Sequence, residues 1–233
     1  MPDFAVILPA AGQSTRYGGP RNKLFEMLDG RRVIDHSIAA FQIRADVAMI
    51  FIPTRAPFDI TGDRIHFCHG GPSRAHSVLA ALREVPPEIE WVAIHDAARP
   101  LISQTLIDRT LTAAFQHGAA VPAMPVHLTI KQATGPLPAK VERTIPRHTL
   151  WAMQTPQIIR RVTLLTAFNT CPIPLDQVTD DVQLIELAGG EVWLVEGEEQ
   201  NLKITTSADL KIAGLHLRGW ICESDETKGD GNH

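Results

Sequence analysis

Four segments of the chain combine cationic side chains with small residues, and this combination can bind phosphate. The first runs from Pro9 through two alanines and a glycine to Arg16, and Lys23 follows seven residues later. Small residues let the backbone approach a phosphate closely and donate N–H groups, while a guanidinium and an ammonium neutralise its charge. The pattern is neither GxGxxG nor GxxxxGK(S/T), so hydride-transfer and P-loop chemistry lose support. A flexible surface loop remains the alternative.

The other three segments offer related chemistry, each with an alternative. Gly70–Ser77 begins with two glycines that permit an unusual backbone path, although Ser73 could equally be a helix N-cap. Asp96 and Arg99 follow an apolar run, so the carboxylate could hold Mg²⁺ through oxygen and the guanidinium could hold a phosphate. An Asp–Arg pair that only braces its loop is an equal alternative. Lys203, near the C-terminus, would by default be a solvated lysine.

Short apolar runs alternate with helical patterns along the chain, and these elements must position the four segments. A wholly apolar run is typical of a strand buried on both faces, and apolar residues three or four apart indicate a helix. The alternation implies right-handed crossovers and an α/β, Rossmann-like three-layer sandwich with a mostly parallel central sheet, which binds ligands at the carboxyl ends of its strands. The predicted strands are 4–8, 47–52, 65–68, 91–94, 119–123 and 192–195, and the predicted helices are 33–41, 78–85, 106–115, 158–168, 182–187 and 208–217.

Residues 124–150 interrupt this alternation. Two short strand-like runs, Thr129–Lys131 and Val141–Thr144, are separated by the turn-forming segment Gly135–Pro138. This pattern predicts a long hairpin that projects from the body. We therefore expect one domain over residues 1–222 with a hairpin arm at about 126–150, followed by a polar, acidic tail at 223–233 that is disordered.

Composition excludes several classes of protein. The 233 residues carry a formal net charge of −4, most of it in the acidic tail, so a general nucleic-acid or membrane-surface role is not expected. No apolar run approaches the length of a membrane span. Three cysteines, Cys68, Cys171 and Cys222, are far apart and are interpreted as reduced thiols. The chain opens without a basic region, so no signal peptide is expected and the predicted location is the cytoplasm.

Taken in order, these segments resemble the 2-C-methyl-D-erythritol 4-phosphate cytidylyltransferases of the non-mevalonate isoprenoid pathway. The resemblance covers the chain from about residue 4 to about residue 218, and the hexapeptide His95–Pro100 is its most specific part. The other matching segments are Pro9–Arg16, Arg74–Val78, Pro125–Lys131, Trp151–Gln157, Thr179–Asp180 and Asn201–Thr205.

The resemblance implies transfer of CMP from CTP to the phosphate of 2-C-methyl-D-erythritol 4-phosphate, with release of pyrophosphate and use of Mg²⁺. It also implies a fold of the nucleotide-diphospho-sugar transferase type and a homodimer formed through interlocking hairpin arms. By similarity, four cations stabilise the transition state or position the acceptor phosphate: Arg16, Lys23, Arg147 and Lys203. The implied nucleotide contacts are Pro9, Ala10, Ala11, Gly12, Gly71, Ser77 and Ala97, and the implied acceptor contacts are Asp96, Arg99, Thr129, Thr155 and Thr179, with Asp96 also beside the magnesium.

The chemistry of this transfer agrees with these residue types. The attacking phosphate oxygen is already ionised, so in-line transfer needs positioning and charge neutralisation more than an acid or a base. Mg²⁺ usually binds through one or two carboxylates together with substrate phosphates, which is consistent with one Asp. No nucleophilic Ser, Cys or His is required. The ten histidines of the chain are therefore expected in loops or in the core, without catalytic roles.

Three departures from the family pattern bear on the site. Pro72 and Leu128 stand where the family commonly has acidic residues, and Lys23 follows Asn22 where a proline is usual, with Arg21 as a competing cation. Two other functions stay open. A ribitol 5-phosphate cytidylyltransferase would keep nearly the same triphosphate residues, because both acceptors are anionic polyol phosphates. A non-catalytic nucleotide-binding regulator would have no need of groups aimed at a transition state.

Overall fold

The computed structural model describes residues 2–12, 17 and 22–226, with side chains as far as residue 219. The strands in this part of the chain are β1 (Phe4–Ile7), β2 (Met27–Leu28), β3 (Arg31–Arg32), β4 (Val47–Thr54), β5 (Ile65–His69), β6 (Trp91–Ile94), β7 (Ala119–Pro125), β8 (Ile130–Ala133), β9 (Val141–Ile145), β10 (Trp151–Met153), β11 (Gln157–Arg160) and β12 (Trp193–Glu196). The helices are α1 (Val33–Gln42), α2 (Arg74–Glu84), α3 (Gln104–His117), α4 (Arg161–Asn169), α5 (Asp181–Leu187) and α6 (Ser207–Glu226). None of these helices is both long enough and apolar enough to cross a membrane.

Eight strands form the central sheet in the order β10-β7-β11-β6-β1-β4-β5, with β12 paired to β7. β1 pairs in parallel with β4 on one side and with β6 on the other, and β5 extends the parallel set beyond β4. β12 is also parallel to β7, whereas β10 and β11 are antiparallel to their neighbours. The predicted mostly parallel sheet is confirmed. The chain returns from β5 at one edge to β6 beside β1, and open α/β sheets bind ligands at such a switch in strand order.

Apolar side chains on the two faces of the sheet form two separate clusters. In and just after β1, Phe4, Val6 and Leu8 belong to one cluster, whereas Ala5 and Ile7 belong to the other. All five are fully buried. α1 and α3 contribute to the first cluster, and α2, α4 and α5 contribute to the second, so the sheet lies between two helical layers. Burial on both faces is the reason that β1 is a continuous apolar run.

Some local predictions differ from the structure. The predicted helix 158–168 begins only at Arg161, because Gln157–Arg160 form β11 between β6 and β7. Two adjacent buried isoleucines fit a helix or a strand equally well, so only pairing with distant strands decides between them. β2, β3 and β10 were not predicted. The last helix reaches Glu226, within the segment 223–233 that was expected to be disordered, and residues 227–233 lie outside the described residues.

β8 and β9 form a separate two-stranded antiparallel sheet within residues 124–150, where a hairpin was predicted. Ile130 pairs with Ile145, and the pairing continues towards the turn. Several apolar side chains of this region are exposed, including Leu128 at 77% and Leu137 at 88%. The hairpin therefore contributes little to the core of its own chain.

Candidate active site

A cavity of about 450 Å³ lies at the carboxyl ends of β6, β1, β4 and β5. Its walls come from the loops that follow these four strands, together with Lys23 and with Lys203 and Thr205 from the segment before α6. All four cationic segments singled out in the sequence contribute to this one cavity. Parallel strands place their carboxyl ends at the same edge, so residues far apart in sequence meet here.

Two adjacent glycines let the loop after β5 pack tightly. A Cβ on Gly70 would lie 2.3 Å from the Cβ of Ala11, and a Cβ on Gly71 would lie 2.4 Å from the Cβ of His76. Both distances are too short for any residue with a side chain. The Gly71 N–H donates to Ser77 Oγ over 3.0 Å, which fixes the loop against the first turn of α2.

The predicted nucleotide residues mostly lie on the cavity wall. Ser73 is the N-cap of α2, because its hydroxyl accepts the His76 N–H, and it also lines the cavity. Ala10 is different: it is buried and its N–H donates to the Pro53 carbonyl over 2.9 Å, so that N–H is engaged within the protein. The predicted nucleotide residues that line the cavity are Pro9, Ala11, Gly12, Gly71, Ser77 and Ala97.

Asp96 is surrounded by three cations at the floor of the cavity. Its carboxylate oxygens lie 2.8 Å from Lys203 Nζ, 3.3 Å from Arg74 Nε and 3.6 Å from Arg99 Nε. Burial alone would raise the pKa of Asp96, but the charges of Arg74, Lys203 and Arg99 outweigh burial and hold this pKa well below its usual range. Asp96 is therefore ionised, and it holds the cations together.

Arg74 joins Asp96 to a second carboxylate that is fully buried. Arg74 Nη1 lies 2.7 Å from Asp181 Oδ2, and the Asp181 side chain has no exposed surface. Burial raises the pKa of Asp181, whereas Arg74 opposes the rise. The two carboxylates in turn raise the pKa of Arg74, although burial alone would lower it. Asp181 was not singled out from the sequence, because nothing in its neighbourhood along the chain marks it as the partner of Arg74.

Lys23 and Arg55 add two further cations to the cavity wall. Lys23 Nζ donates to the Ile204 carbonyl over 2.7 Å. This bond ties the short helical turn Lys23–Phe25 to the segment before α6. Arg55 directly follows β4 and was not singled out from the sequence, although the rule on carboxyl ends of strands points to it. Arg16 and the competing Arg21 lie outside the described residues.

Arg99 and Thr155, both predicted to contact the acceptor, are buried, with 8% and 4% of their surface exposed. Arg99 donates to the Asn201 carbonyl over 2.7 Å and to the Met153 carbonyl over 3.3 Å. Thr155 Oγ1 accepts the Asp96 N–H over 3.1 Å. Neither residue belongs to the described cavity lining. Both groups have partners inside the protein, as buried polar groups need, and these bonds brace the neighbouring loops. Their contact with the acceptor stays a prediction.

The remaining predicted acceptor residues, Thr129, Arg147 and Thr179, are exposed and do not belong to the described cavity lining. Arg147 lies in the short helical turn after β9 and donates to the His127 carbonyl. Thr179 Oγ1 donates to Gln183 Oε1 over 3.2 Å. A single chain thus assembles most of the predicted nucleotide side of the site and leaves these three residues outside it.

The cavity does not fit a magnesium ion held by the protein alone. Asp96 is the only carboxylate in the described lining, and the described residues contain no group of three His, Cys, Asp or Glu placed to hold a metal. The three cations around Asp96 already neutralise it and would repel a divalent ion. The predicted role of Asp96 as a metal ligand is therefore not supported by its surroundings.

Comparison with known proteins gives similarity along nearly the whole chain. The family model "IspD: 2-C-methyl-D-erythritol 4-phosphate cytidylyltransferase" matches residues 4–219. The chain is 40% identical over 224 residues to the 2-C-methyl-D-erythritol 4-phosphate cytidylyltransferase of Gloeobacter violaceus, covering 91% of this chain and 95% of that relative. It is 37% identical to the bifunctional enzyme IspD/IspF of Rhodospirillum rubrum, where the match covers 99% of this chain but spans 60% of the relative's length. The crystal structure of the Francisella tularensis 2-C-methyl-D-erythritol 4-phosphate cytidylyltransferase has a TM-score of 0.80 and 31% identity, and the match covers 91% of this chain and 99% of that one.

Proposed function

The chain belongs to the 2-C-methyl-D-erythritol 4-phosphate cytidylyltransferase family, and we propose that it transfers CMP from CTP to 2-C-methyl-D-erythritol 4-phosphate with release of pyrophosphate. The observation that carries this proposal is the cavity at the carboxyl edge of a parallel sheet, where Arg74 and Lys203 contact the Asp96 carboxylate. Lys23 adds a further cation to the wall of the same cavity. A local concentration of cations in an otherwise slightly acidic chain suits two anionic substrates.

In the proposed reaction a phosphate oxygen of the acceptor attacks the α-phosphorus of CTP. A bond forms between these two atoms, the bond from the α-phosphorus to the oxygen bridging to the β-phosphate breaks, and the electron pair leaves with pyrophosphate. Negative charge grows on the oxygens around the α-phosphorus in the transition state, and Lys23, with Arg16 by family resemblance, neutralises it. The attacking oxygen is already ionised, so no side chain is needed as a base.

We propose that Lys203 separates from Asp96 when the acceptor binds and forms an ion pair with the acceptor phosphate instead. Its side chain is 34% exposed, against 29% for Arg74 and 10% for Arg99, so it is the most accessible of the three cations. Arg74 is retained by the buried Asp181 and stays with Asp96. Once Lys203 has turned to a phosphate, an oxygen of Asp96 can accept hydrogen bonds from the hydroxyls of the acceptor.

The small residues of the cavity suit the nucleoside part of CTP. The loop that holds Gly71 forms one wall together with Ser77 in the first turn of α2. We propose that the space beside this tightly packed wall fits cytosine and excludes purines by size. Pro72 lines the same wall and has no N–H to offer a ligand. Contacts to the base are therefore proposed to come from neighbouring backbone groups.

We propose a homodimer in which the hairpin of β8 and β9 completes the acceptor site of the partner chain. Thr129 and Arg147 flank this hairpin, are exposed, and do not belong to the described lining of their own cavity. Apolar side chains at Leu128 and Leu137 are also exposed, and such residues are commonly covered at an interface. Closed two-fold assembly would place each hairpin beside the other chain.

The acceptor is tested by incubating the protein with CTP and Mg²⁺ and either 2-C-methyl-D-erythritol 4-phosphate or ribitol 5-phosphate, and by measuring the release of pyrophosphate. Faster release with 2-C-methyl-D-erythritol 4-phosphate is expected. Faster release with ribitol 5-phosphate would replace the proposed acceptor, and release with neither would remove the proposed reaction.

The Arg16→Ala variant separates the proposed enzyme from a nucleotide-binding regulator. Because Arg16 is assigned to the transition state, its loss should lower turnover far more than the affinity for CTP. Turnover is measured by pyrophosphate release and affinity by calorimetric titration. Comparable losses in both quantities would favour a binding protein.

A further inference from the structure

His95 lies directly beneath the loop that carries Asp96. The residue follows β6, has no exposed surface, and packs edge-on against Phe41 with 5.2 Å between ring centroids. Its backbone N–H continues the strand pairing by donating to the Ile7 carbonyl over 2.9 Å. Like the other histidines, His95 was expected in a loop or in the core, without a catalytic role. Both of its ring nitrogens, however, lie within hydrogen-bond distance of groups that belong to the site or adjoin it.

The partners of the ring fix the position of each proton. Nε2 lies 3.1 Å from the Arg99 carbonyl, which can only accept, so Nε2 carries the proton. In a neutral ring Nδ1 is then an acceptor, and the Thr155 hydroxyl, 3.0 Å away, donates to it. The Thr155 oxygen in turn accepts the Asp96 N–H over 3.1 Å. The hydrogen bonds thus run in one direction, from Asp96 through Thr155 to the ring and on to Arg99.

A further hydrogen bond links Arg99 and Asp96, the last and first residues of this series of hydrogen bonds. The Arg99 N–H donates to the Asp96 carbonyl over 2.9 Å, so the loop Asp96–Arg99 is tied at both ends. Ser37 Oγ donates to the Ala97 carbonyl over 3.1 Å from the helix below. Hydrogen bonds connected in series polarise one another and hold their geometry more firmly than isolated bonds.

The arrangement requires a neutral imidazole. A proton on Nδ1 would make that nitrogen a donor, and the Thr155 hydroxyl could no longer donate to it. Burial lowers the pKa of His95 to about 4, only partly offset by its hydrogen bonds and by Asp96, which agrees with a neutral ring at neutral pH.

We propose that His95 is a positioning residue: through the Thr155 hydroxyl it fixes the backbone of Asp96, and so sets where the Asp96 carboxylate meets Lys203 and Arg74. The inference deepens the proposed cytidylyl transfer and rests on it. Thr155 is then a link in the scaffold and not a contact to the acceptor. The single proton of its hydroxyl is already engaged in the hydrogen bond to His95, and its oxygen accepts the Asp96 N–H.

Thr155→Val and Thr155→Ser test the link, because valine has the shape of threonine without the hydroxyl and serine keeps the hydroxyl. We expect Thr155→Val to lower kcat by about 10- to 100-fold, since small misplacement of reacting groups has effects of this size. KM for the acceptor should change less than about threefold, and Thr155→Ser should recover most of kcat. A raised acceptor KM with an unchanged kcat would show a direct contact and overturn the proposal, as would wild-type kinetics in Thr155→Val.

A measurement on the unmodified protein keeps the proposal testable if the valine variant does not fold. The ¹⁵N shifts of the His95 ring, recorded at neutral pH, distinguish the two neutral tautomers. The proton is expected on Nε2, and a proton on Nδ1 would overturn the proposal. This result does not depend on activity, so it separates failure of the inference from failure of the proposed reaction, which would appear as an inactive wild-type protein.

Discussion

At the scale of single residues, Arg99 depends on Asp96 more than the other two cations do. Its side chain is 10% exposed and its Nε has no hydrogen-bond partner, whereas the side chains of Lys203 and Arg74 are 34% and 29% exposed. In Asp96→Asn the Arg99 charge would remain buried without a counter-ion. We expect the free energy of unfolding to fall by about 3 kcal/mol, in the range for loss of one partner of a buried pair.

Urea unfolding at neutral pH measures this change. Asp63→Asn, which alters an exposed carboxylate, is the matched control and should change stability by less than about 0.5 kcal/mol. Equal stability of the two variants would contradict the dependence of Arg99 on Asp96.

His95 makes stability depend on pH in a defined direction. Burial lowers the pKa of the folded state from 6.5 to about 4, so the unfolded chain binds the proton more readily. Its contribution is therefore complete above pH 6.5 and is lost as the pH falls towards 4. The shift corresponds to about 3 kcal/mol across this range, at about 1.4 kcal/mol for each unit of pKa.

The measurement is the free energy of unfolding in denaturant at several pH values, for the wild type and for His95→Asn. Asparagine does not titrate, so the slope of stability against pH between 4 and 6.5 should be smaller in the variant. Parallel slopes would assign the pH dependence to other groups.

At the scale of elements, the hairpin of β8 and β9 gives a prediction about assembly. Arg147→Ala damages the hairpin side of the proposed acceptor site, and Lys203→Ala damages the cavity side. If each hairpin serves the partner chain, a mixed dimer has one of its two sites intact. Equal mixing makes about half of the dimers mixed, so roughly a quarter of the wild-type activity should return. The two variants are refolded together and assayed by pyrophosphate release. No gain over the separate variants would mean that each hairpin serves its own chain or none.

The elements also show where prediction from sequence stops. The apolar runs of β1, β4, β5 and β6 were predicted, because burial on both faces leaves a signal within a few residues. β11 was mistaken for the start of a helix, because its short apolar pair becomes a strand only by pairing with β6 and β7. Local patterns cannot carry that information, since the partners lie far away along the chain.

At the scale of the whole molecule, the net charge of −4 contrasts with the cations that gather at the cavity. The Asp96 carboxylate is already neutralised by the cations around it, so it should not retain Mg²⁺ by itself. We therefore propose that the metal is held by the phosphates of CTP. Calorimetric titration of the nucleotide-free protein with Mg²⁺ should then show no binding below about 1 mM, the range of the weakest protein sites for divalent ions.

Asp96→Asn serves as the comparison for this prediction. The Mg²⁺ concentration that gives half of the maximal rate should stay within about threefold of the wild-type value, even where kcat falls. An increase of more than about tenfold would show that Asp96 binds the metal directly, since tenfold in affinity corresponds to about 1.4 kcal/mol.

The sequence was enough to predict most of the buried strands and the positions of the helices, the carboxyl edge of the sheet as the place of the site, and the family. These follow from short patterns, such as buried apolar runs, paired glycines and a distinctive hexapeptide, whose physical causes act over a few neighbouring residues. Which polar groups face the cavity and which are buried against it depended on contacts between distant parts of the chain. Arg99 bonds to a carbonyl 102 positions away, and the Thr155 hydroxyl meets a histidine 60 positions away. A buried polar group takes whichever partner the fold brings to it, and that partner is fixed by packing over the whole chain.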